Sequence, residues 1–290
     1  MTVWRQYTAR IALPALRFAR AVIRPFAPST AGRFQILLMH GLLGEEDGFR
    51  ALIEYTRTKH GVISPDEAAR ILAGNATNAG SMDGRLPCIL SFDDGFASNF
   101  AVAHKVLKEM DLRALFFVCP GLTDMKGDDQ QAAVVRNLFR APVAGRSAPE
   151  RLMAWDEIAE LSDWGHTIGN HGLLHRPLSA LSGGELDCEI NEAADIIARR
   201  LGAPASWYAF AFGDIGSISA EALRVVRGRH RYCRSGVRGV NGPGVSPWAL
   251  RAQQIPLDHT PYAQLILQGG LDGRYRAARG QLDAWAGSAG

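Results

Sequence analysis

The run Cys88-Ile-Leu-Ser-Phe-Asp93-Asp94-Gly95 puts two adjacent carboxylates at the end of an apolar segment, just before a helical pattern. In parallel α/β proteins catalytic groups collect at the carboxyl ends of strands. Neighbouring side chains there can diverge, one carboxylate towards a metal and the other towards a water. A second run, His166-Thr-Ile-Gly-Asn-His171-Gly-Leu-Leu-His175, follows another short apolar segment and sets two imidazoles four residues apart. A helical turn at that point would aim both rings at one cation. Two histidines and one aspartate at strand ends form an open facial site, which suits zinc or a similar divalent ion and leaves room for water and substrate. Each run also has a plainer reading on its own. Asp-Asp-Gly is a common solvated turn, and spaced histidines occur on surfaces.

The elements that would position these groups alternate along the chain. Strand-like runs fall at 35–39, 86–92, 114–119, 166–169, 207–211, 232–235 and 253–257. Helical patterns lie at about 47–59, 65–73, 97–110, 132–140, 156–164, 183–201 and 219–229, with two more after 260. Ser64 before Pro65 is a helix start, and Ser182-Gly-Gly-Glu185 has the spacing of a capping box. This βαβα order predicts a parallel sheet covered by helices. Seven strands fit a single (β/α) barrel domain over 34–290, preceded by a basic segment over 1–33. The stretches 74–84 and 123–150 read as loops or insertions.

Composition narrows the class. With 290 residues, 47% of them hydrophobic and 21% charged, the chain is that of a globular protein, not a disordered or fibrous one. No apolar run reaches the length of a membrane span. A net charge of +3 is too small to point to nucleic acid. The charge is uneven, however: Arg5, Arg10, Arg17, Arg20, Arg24 and Arg33 precede the first acidic residue, Glu45. On a helical wheel Trp4, Ile11, Ala15, Phe18, Val22 and Phe26 share one face and four of the arginines the other. That pattern predicts a basic amphipathic helix, lying on a membrane surface or packed on the domain. Arginines and Pro14 break up the apolar core that a secretory signal needs. The expectation is therefore a cytoplasmic protein, free or held at the inner membrane face through residues 1–26. Cys88, Cys119, Cys188 and Cys233 are scattered, which predicts free thiols and a reducing compartment. Six arginines between Arg224 and Arg238 read as a solvated face, or as a contact for an acidic glycan, a lipid pyrophosphate or a membrane. Trp155, Trp164, Trp207 and Trp248 read as packing residues or as platforms for sugar rings.

Taken in order, Phe92-Asp-Asp-Gly95, Ala114-Leu-Phe-Phe-Val118, Trp155-Asp-Glu-Ile158 and Gly165–His175 resemble the polysaccharide deacetylases. These form carbohydrate esterase family four, built on the NodB-homology domain, and the resemblance spans roughly 34–260. It implies a distorted (β/α) barrel of about seven parallel strands that removes N-acetyl or O-acetyl groups from glycans. By motif, Asp93 would be the general base. Asp94, His171 and His175 would hold a divalent metal, zinc, whose bound water attacks the acetyl carbonyl. The acid histidine of the family lies in a Leu-x-His motif, and two such motifs occur: Leu38-Met39-His40 and Leu257-Asp258-His259. His40 is favoured because it ends the cleaner apolar strand. Tyr208-Ala-Phe-Ala-Phe-Gly-Asp214 stands where the family has an arginine-bearing strand ending in an aromatic and a glycine, so the Phe212 N–H is the oxyanion candidate. Three departures accompany the match. Ala209 replaces the arginine that orients the base, Ala211 replaces a proline, and Gly172 replaces the usual Ser or Thr.

The resulting expectation is a metal-dependent deacetylase of a polysaccharide or oligosaccharide precursor, with an acetylated or lipid-linked glycan as partner. Two rivals stay open: an amidohydrolase acting on a small cyclic or linear amide, and a non-catalytic glycan-binding member. A small-amide enzyme would have a closed pocket, and a glycan enzyme a long open groove.

Overall fold

The computed structural model describes Pro14 and residues 31–75, 85–143, 147–257, 260–269 and 271–287. The leader helix expected before residue 27 and the second candidate acid, His259, lie outside the described residues. So does most of the loop expected over 74–84.

Seven strands form one sheet: β1 (Gln35–Met39), β2 (Cys88–Phe92), β3 (Ala114–Val118), β4 (Thr167–Asn170), β5 (Trp207–Ala209), β6 (Tyr232–Arg234) and β7 (Gln253–Gln254). Their order is β6-β5-β4-β3-β2-β1-β7, with every pair parallel. The seven-stranded barrel expectation therefore holds, with β5, β6 and β7 shorter than the sequence pattern suggests. Beyond Arg234 the chain loops round and lays Leu250 parallel beside Arg234. Ser235 N–H donates to Leu250 O, and Leu250 N–H to Cys233 O, before residues 253–254 pair with β1. This seam spans the gap between β6 and β7 with backbone hydrogen bonds.

Every residue of β1, β2 and β3 is buried, as expected for parallel strands covered on both faces. The period of two sorts them. Ile36, Leu38, Ile89, Leu115, Phe117, Trp207 and Ala209 fill the barrel interior. Leu37, Leu90, Phe92 and Phe116 face outwards onto helical residues such as Phe49, Ile53, Val106 and Leu161. Burying a side chain of this size contributes roughly 1.5–3 kcal/mol. A one-residue slip in any of these strands would exchange the two layers and move the residue at its carboxyl end out of the rim.

The helices follow the sequence with local differences. Helix α1 is Glu46–Lys59 and α2 is Pro65–Leu72; Ser64 caps α2 through a complete capping box with Glu67. The helix expected over 97–110 is α-helical only at Ala97–Val102 and continues as a π-helical turn over Ala103–Leu107. The one expected over 183–201 is likewise split by a π-helical turn at Cys188–Glu192. Its Ser182 box does not form. Gly183 is the residue preceding the helix, at φ 50, and no side chain caps it. Residues 123–150 are not simply a loop, since Gly127–Asn137 is helical. All four cysteines are free thiols, three of them buried. Among the described residues, no helix is long and apolar enough to cross a membrane.

Candidate active site

Asp93 and Asp94 leave the end of β2, and His171 leaves the end of β4, so two parallel strands flanking β3 deliver the groups to one rim. The backbone at this rim is unusual. Among the described residues five non-glycine positions have positive φ, and three of them, Asp94 (72°), His175 (59°) and Phe212 (64°), line one cleft. Such conformations cost of order 1–3 kcal/mol each and persist where the surroundings enforce them. The segment from His171 to His175 is not helical, which corrects the expected turn. Instead the left-handed His175 swings its ring back, edge-on to His171 at 4.8 Å between centroids.

Asp94, His171 and His175 present donor atoms that all lie within 4.8 Å of one another. Asp94 Oδ1 stands 3.5 Å from His171 Nε2 and 3.4 Å from His175 Nε2. Two donors each about 2.1 Å from one ion, at a tetrahedral angle, lie roughly 3.4 Å apart, so the spacing suits a small divalent cation. The rings are also turned correctly. His171 Nδ1 is 2.6 Å from Ala209 O, and His175 Nδ1 is 3.2 Å from Asn137 O. Each carbonyl takes the Nδ1–H and leaves the Nε2 lone pair for a cation, as in other histidine metal sites. Burial, followed by the neighbouring His171, lowers His175 to about 4. Burial would raise the Asp94 carboxyl, but the hydrogen bond to His171 and the nearby His175 and His40 bring it down to about 2. These residues fit a metal.

Asp93 faces the same point from the other side. Its Oδ2 is 3.7 Å from His171 Nε2, and its Oδ1 accepts a short hydrogen bond from Arg234 Nη2. Arg234 is 1% exposed and lies over the Phe117 ring. It projects from β6 at the position paired directly with Ala209 of β5. The arginine missing from β5 is thus supplied one strand over, and the orientation of Asp93 is not lost. Gly172 has a similar explanation. At φ 86 a Cβ there would come within 2.6 Å of Glu189 Oε1. That carboxylate, 2% exposed, accepts N–H bonds from Leu174 and Arg176, while the Glu189 carbonyl accepts from Leu173. Glu189 therefore holds the histidine loop in the place of a Ser or Thr side chain. Burial raises its carboxyl pKa, against the pull of those two N–H donors.

His40 follows β1 and lines the cleft with the metal-site residues. Phe212 lines it too, its ring edge-on to His175 at 4.6 Å and beneath the Arg140 guanidinium at 3.5 Å. None of Trp155, Trp164, Trp207 and Trp248 lines the cleft. Trp207 is buried, Trp155 donates to Asp124, Trp248 donates to His230 O, and Trp164 stacks on Phe100. The arginine-rich segment is divided: Arg224, Arg229 and Arg231 are exposed, as a solvated face would be, and the rest are not. Arg229 pairs with Asp195, Arg227 covers Trp248, and Arg234 and Arg238 are buried.

Arg234 and Glu189 were missed by sequence reasoning. The available signal was an arginine inside the strand-like run 232–235, where an unpaired charge would not be tolerated. Glu189, between a cysteine and an isoleucine on a helical pattern, gave none.

The fold and the site define a parallel-stranded (β/α) barrel with a carboxylate pair and two imidazoles gathered at one rim. The chain belongs to the polysaccharide deacetylase family, whose model matches residues 83–227. That span contains Asp93, Asp94, His171, His175 and Phe212, begins after His40 and ends before Arg234. Three solved structures share the fold. IcaB from Ammonifex degensii is 22% identical with a TM-score of 0.62, covering 81% of this chain and 97% of its own. The Streptococcus pyogenes deacetylase PplD, in complex with acetate, is 18% identical with a TM-score of 0.62, covering 81% and 98%. The BpsB deacetylase domain from Bordetella bronchiseptica is 18% identical with a TM-score of 0.59, covering 79% and 98%. No curated protein matches the chain.

Proposed function

We propose that the protein hydrolyses N-acetyl groups on a polysaccharide or oligosaccharide, with Asp93 as base and His40 as acid. The observation that carries this reading is the convergence of Asp93, Asp94, His171, His175, His40 and Phe212 on one cleft of about 710 Å3. A divalent cation held by Asp94, His171 and His175, with zinc favoured by the two-imidazole, one-carboxylate donor set, would supply the charge that polarises the acetyl carbonyl and acidifies water.

The chain's own groups do the rest. Asp93 Oδ2, left free by the Arg234 bond to Oδ1, takes the proton of the attacking water. Phe212 N–H, turned by its positive φ, donates to the oxygen that gains charge. His40 delivers a proton to the departing sugar nitrogen. The cleft runs on past His40 and Gln254 into a second cavity. That continuity favours a chain-like glycan over a small amide, which would need an enclosed pocket.

The test is acetate release from a panel of N-acetylated oligosaccharides by the full chain, with and without a chelator. Release that stops with chelator and with Asp93→Asn supports the reading. No release from any glycan, alongside hydrolysis of a small amide, would overturn it.

A further inference from the structure

Past His40, which stands on the boundary, lies a second cavity of about 520 Å3 that Asp93, Asp94, His171 and His175 do not line. One wall is made by Arg238, and the turn Asp272–Tyr275 brings Arg274 to it. Arg238 is 7% exposed, yet its guanidinium donates to neutral groups: Nη1 to Gln253 Oε1 at 3.1 Å and Nη2 to Gln254 O at 2.7 Å. Among the described residues no carboxylate comes within 4.0 Å of it. The nearest link to an acid is indirect, since Gln253 Nε2 donates to Asp272 Oδ1 at 3.1 Å and to Gly239 O. Those bonds fix the Gln253 amide with its oxygen towards Arg238. A guanidinium this deep without a counter-ion is costly, and here it stands beside an open cavity.

The charge on the two sides of His40 is opposite. Asp93, Asp94, Glu150 and Asp214 face the catalytic cleft. The second cavity has two guanidiniums against one carboxylate, the exposed Glu45 at the junction. Among the described residues no arginine lines the first, whereas two line the second, where the planar fork of an arginine matches carboxylate and phosphate.

We propose that this cavity is an oxyanion subsite, and that the glycan substrate carries a carboxylate or phosphate that docks there while its acetyl group lies at Asp93. What the anion is attached to rests on the deacetylase reading; the anion site itself does not. Tyr262, also on the wall, gives the adjoining sugar a ring to lie against.

Two measurements test it on the full chain. Thermal shift and calorimetry with inorganic phosphate, pyrophosphate and glucuronate should show binding, weakened at least about tenfold in Arg274→Ala and in Arg238→Gln. Because Arg274 is exposed, its variant keeps the test valid if Arg238→Gln does not fold. Acetate release should then be compared on three oligosaccharides of equal length: neutral, uronate-bearing and phosphorylated. The anionic forms should show kcat/KM at least about fivefold above the neutral one, and in Arg274→Ala that ratio should fall to about one. Preference for uronate or for phosphate identifies the source of the anion. Anion binding without acetate release from any glycan would refute the deacetylase reading and keep the subsite. Acetate release with no anion binding and no anion preference would refute the subsite alone.

Discussion

Asp93 and Arg234 form a buried ion pair across the barrel interior, the carboxylate from the end of β2 and the guanidinium from β6. The bond occupies Oδ1 and leaves Oδ2 towards His171 and the cleft. Arg234→Lys keeps the charge but loses the planar fork. It should lower turnover on the order of 10²-fold, while bound metal per folded chain stays unchanged. Undiminished turnover in a folded variant would show that the pair is only structural.

The ligand set gives the second expectation. His175→Gln and Asp94→Asn should each abolish stoichiometric zinc binding, measured by elemental analysis of the purified chain. Asp93→Asn should retain the metal and lose about 10²–10⁴ in rate. A variant pattern with the two aspartates exchanged would reverse their roles.

His40 is tested by leaving group. His40→Ala should remove most turnover on an N-acetyl sugar, whose amine departs poorly without a proton, and spare an activated aryl acetate. His259→Ala should affect neither substrate. The opposite result would return the acid to the later Leu-x-His motif.

The loop that carries the histidines should depend on Glu189. Glu189→Ala strips the acceptor from the part-buried Leu174 and Arg176 N–H bonds, which should cost about 1 kcal/mol each. Glu189→Gln retains an oxygen and should cost less. Gly172→Ser should destabilise by about 1–2 kcal/mol or more, because a side chain at φ 86 is strained and would meet Glu189. Urea unfolding checks all three, and a stabilised Gly172→Ser variant would contradict the arrangement.

Stability should also fall with acid for a reason outside the cleft. His166 Nδ1 accepts the Ala114 N–H at 3.2 Å, so the ring must be neutral there. Burial, followed by Arg113, lowers His166 to about 4, below its unfolded value of about 6.5. Its stabilising contribution is then complete above pH 6.5 and is lost as the pH falls towards 4, by up to about 1.4 kcal/mol per pH unit. Urea midpoints should decline across that window, and less steeply in His166→Leu. An equal slope in the variant would exclude His166 as the source.

Much of this could be read from the chain because the information was local. The bounds of β1 coincide with the apolar run 35–39, and the Ser64 box shapes its own helix. Asp93, Asp94, His171 and His175 sit within two short motifs, so they could be found without knowing what lies opposite. Arg234 could not be. Its role depends on a strand register that aligns it with Ala209, and register between short strands is a tertiary property. The Ser182 box failed for a similar reason. Gly183 takes a conformation that turns the chain into the helix by another route, so correct spacing did not become a cap.

The two halves of the machinery hang on unequal supports. The ligands and the base descend from β2 and β4, on either side of β3 within a set of four- and five-residue strands, whereas Arg234 arrives on a three-residue strand beside the seam. Strands this short, at the end of the ladder, open ahead of the central ones in local fluctuations. Mild denaturant or warming should therefore idle this protein before it melts, releasing the Asp93 clamp while the cation stays seated. Inactivation would precede loss of circular dichroism, and amides of residues 232–235 would exchange with solvent ahead of those in β2 and β3.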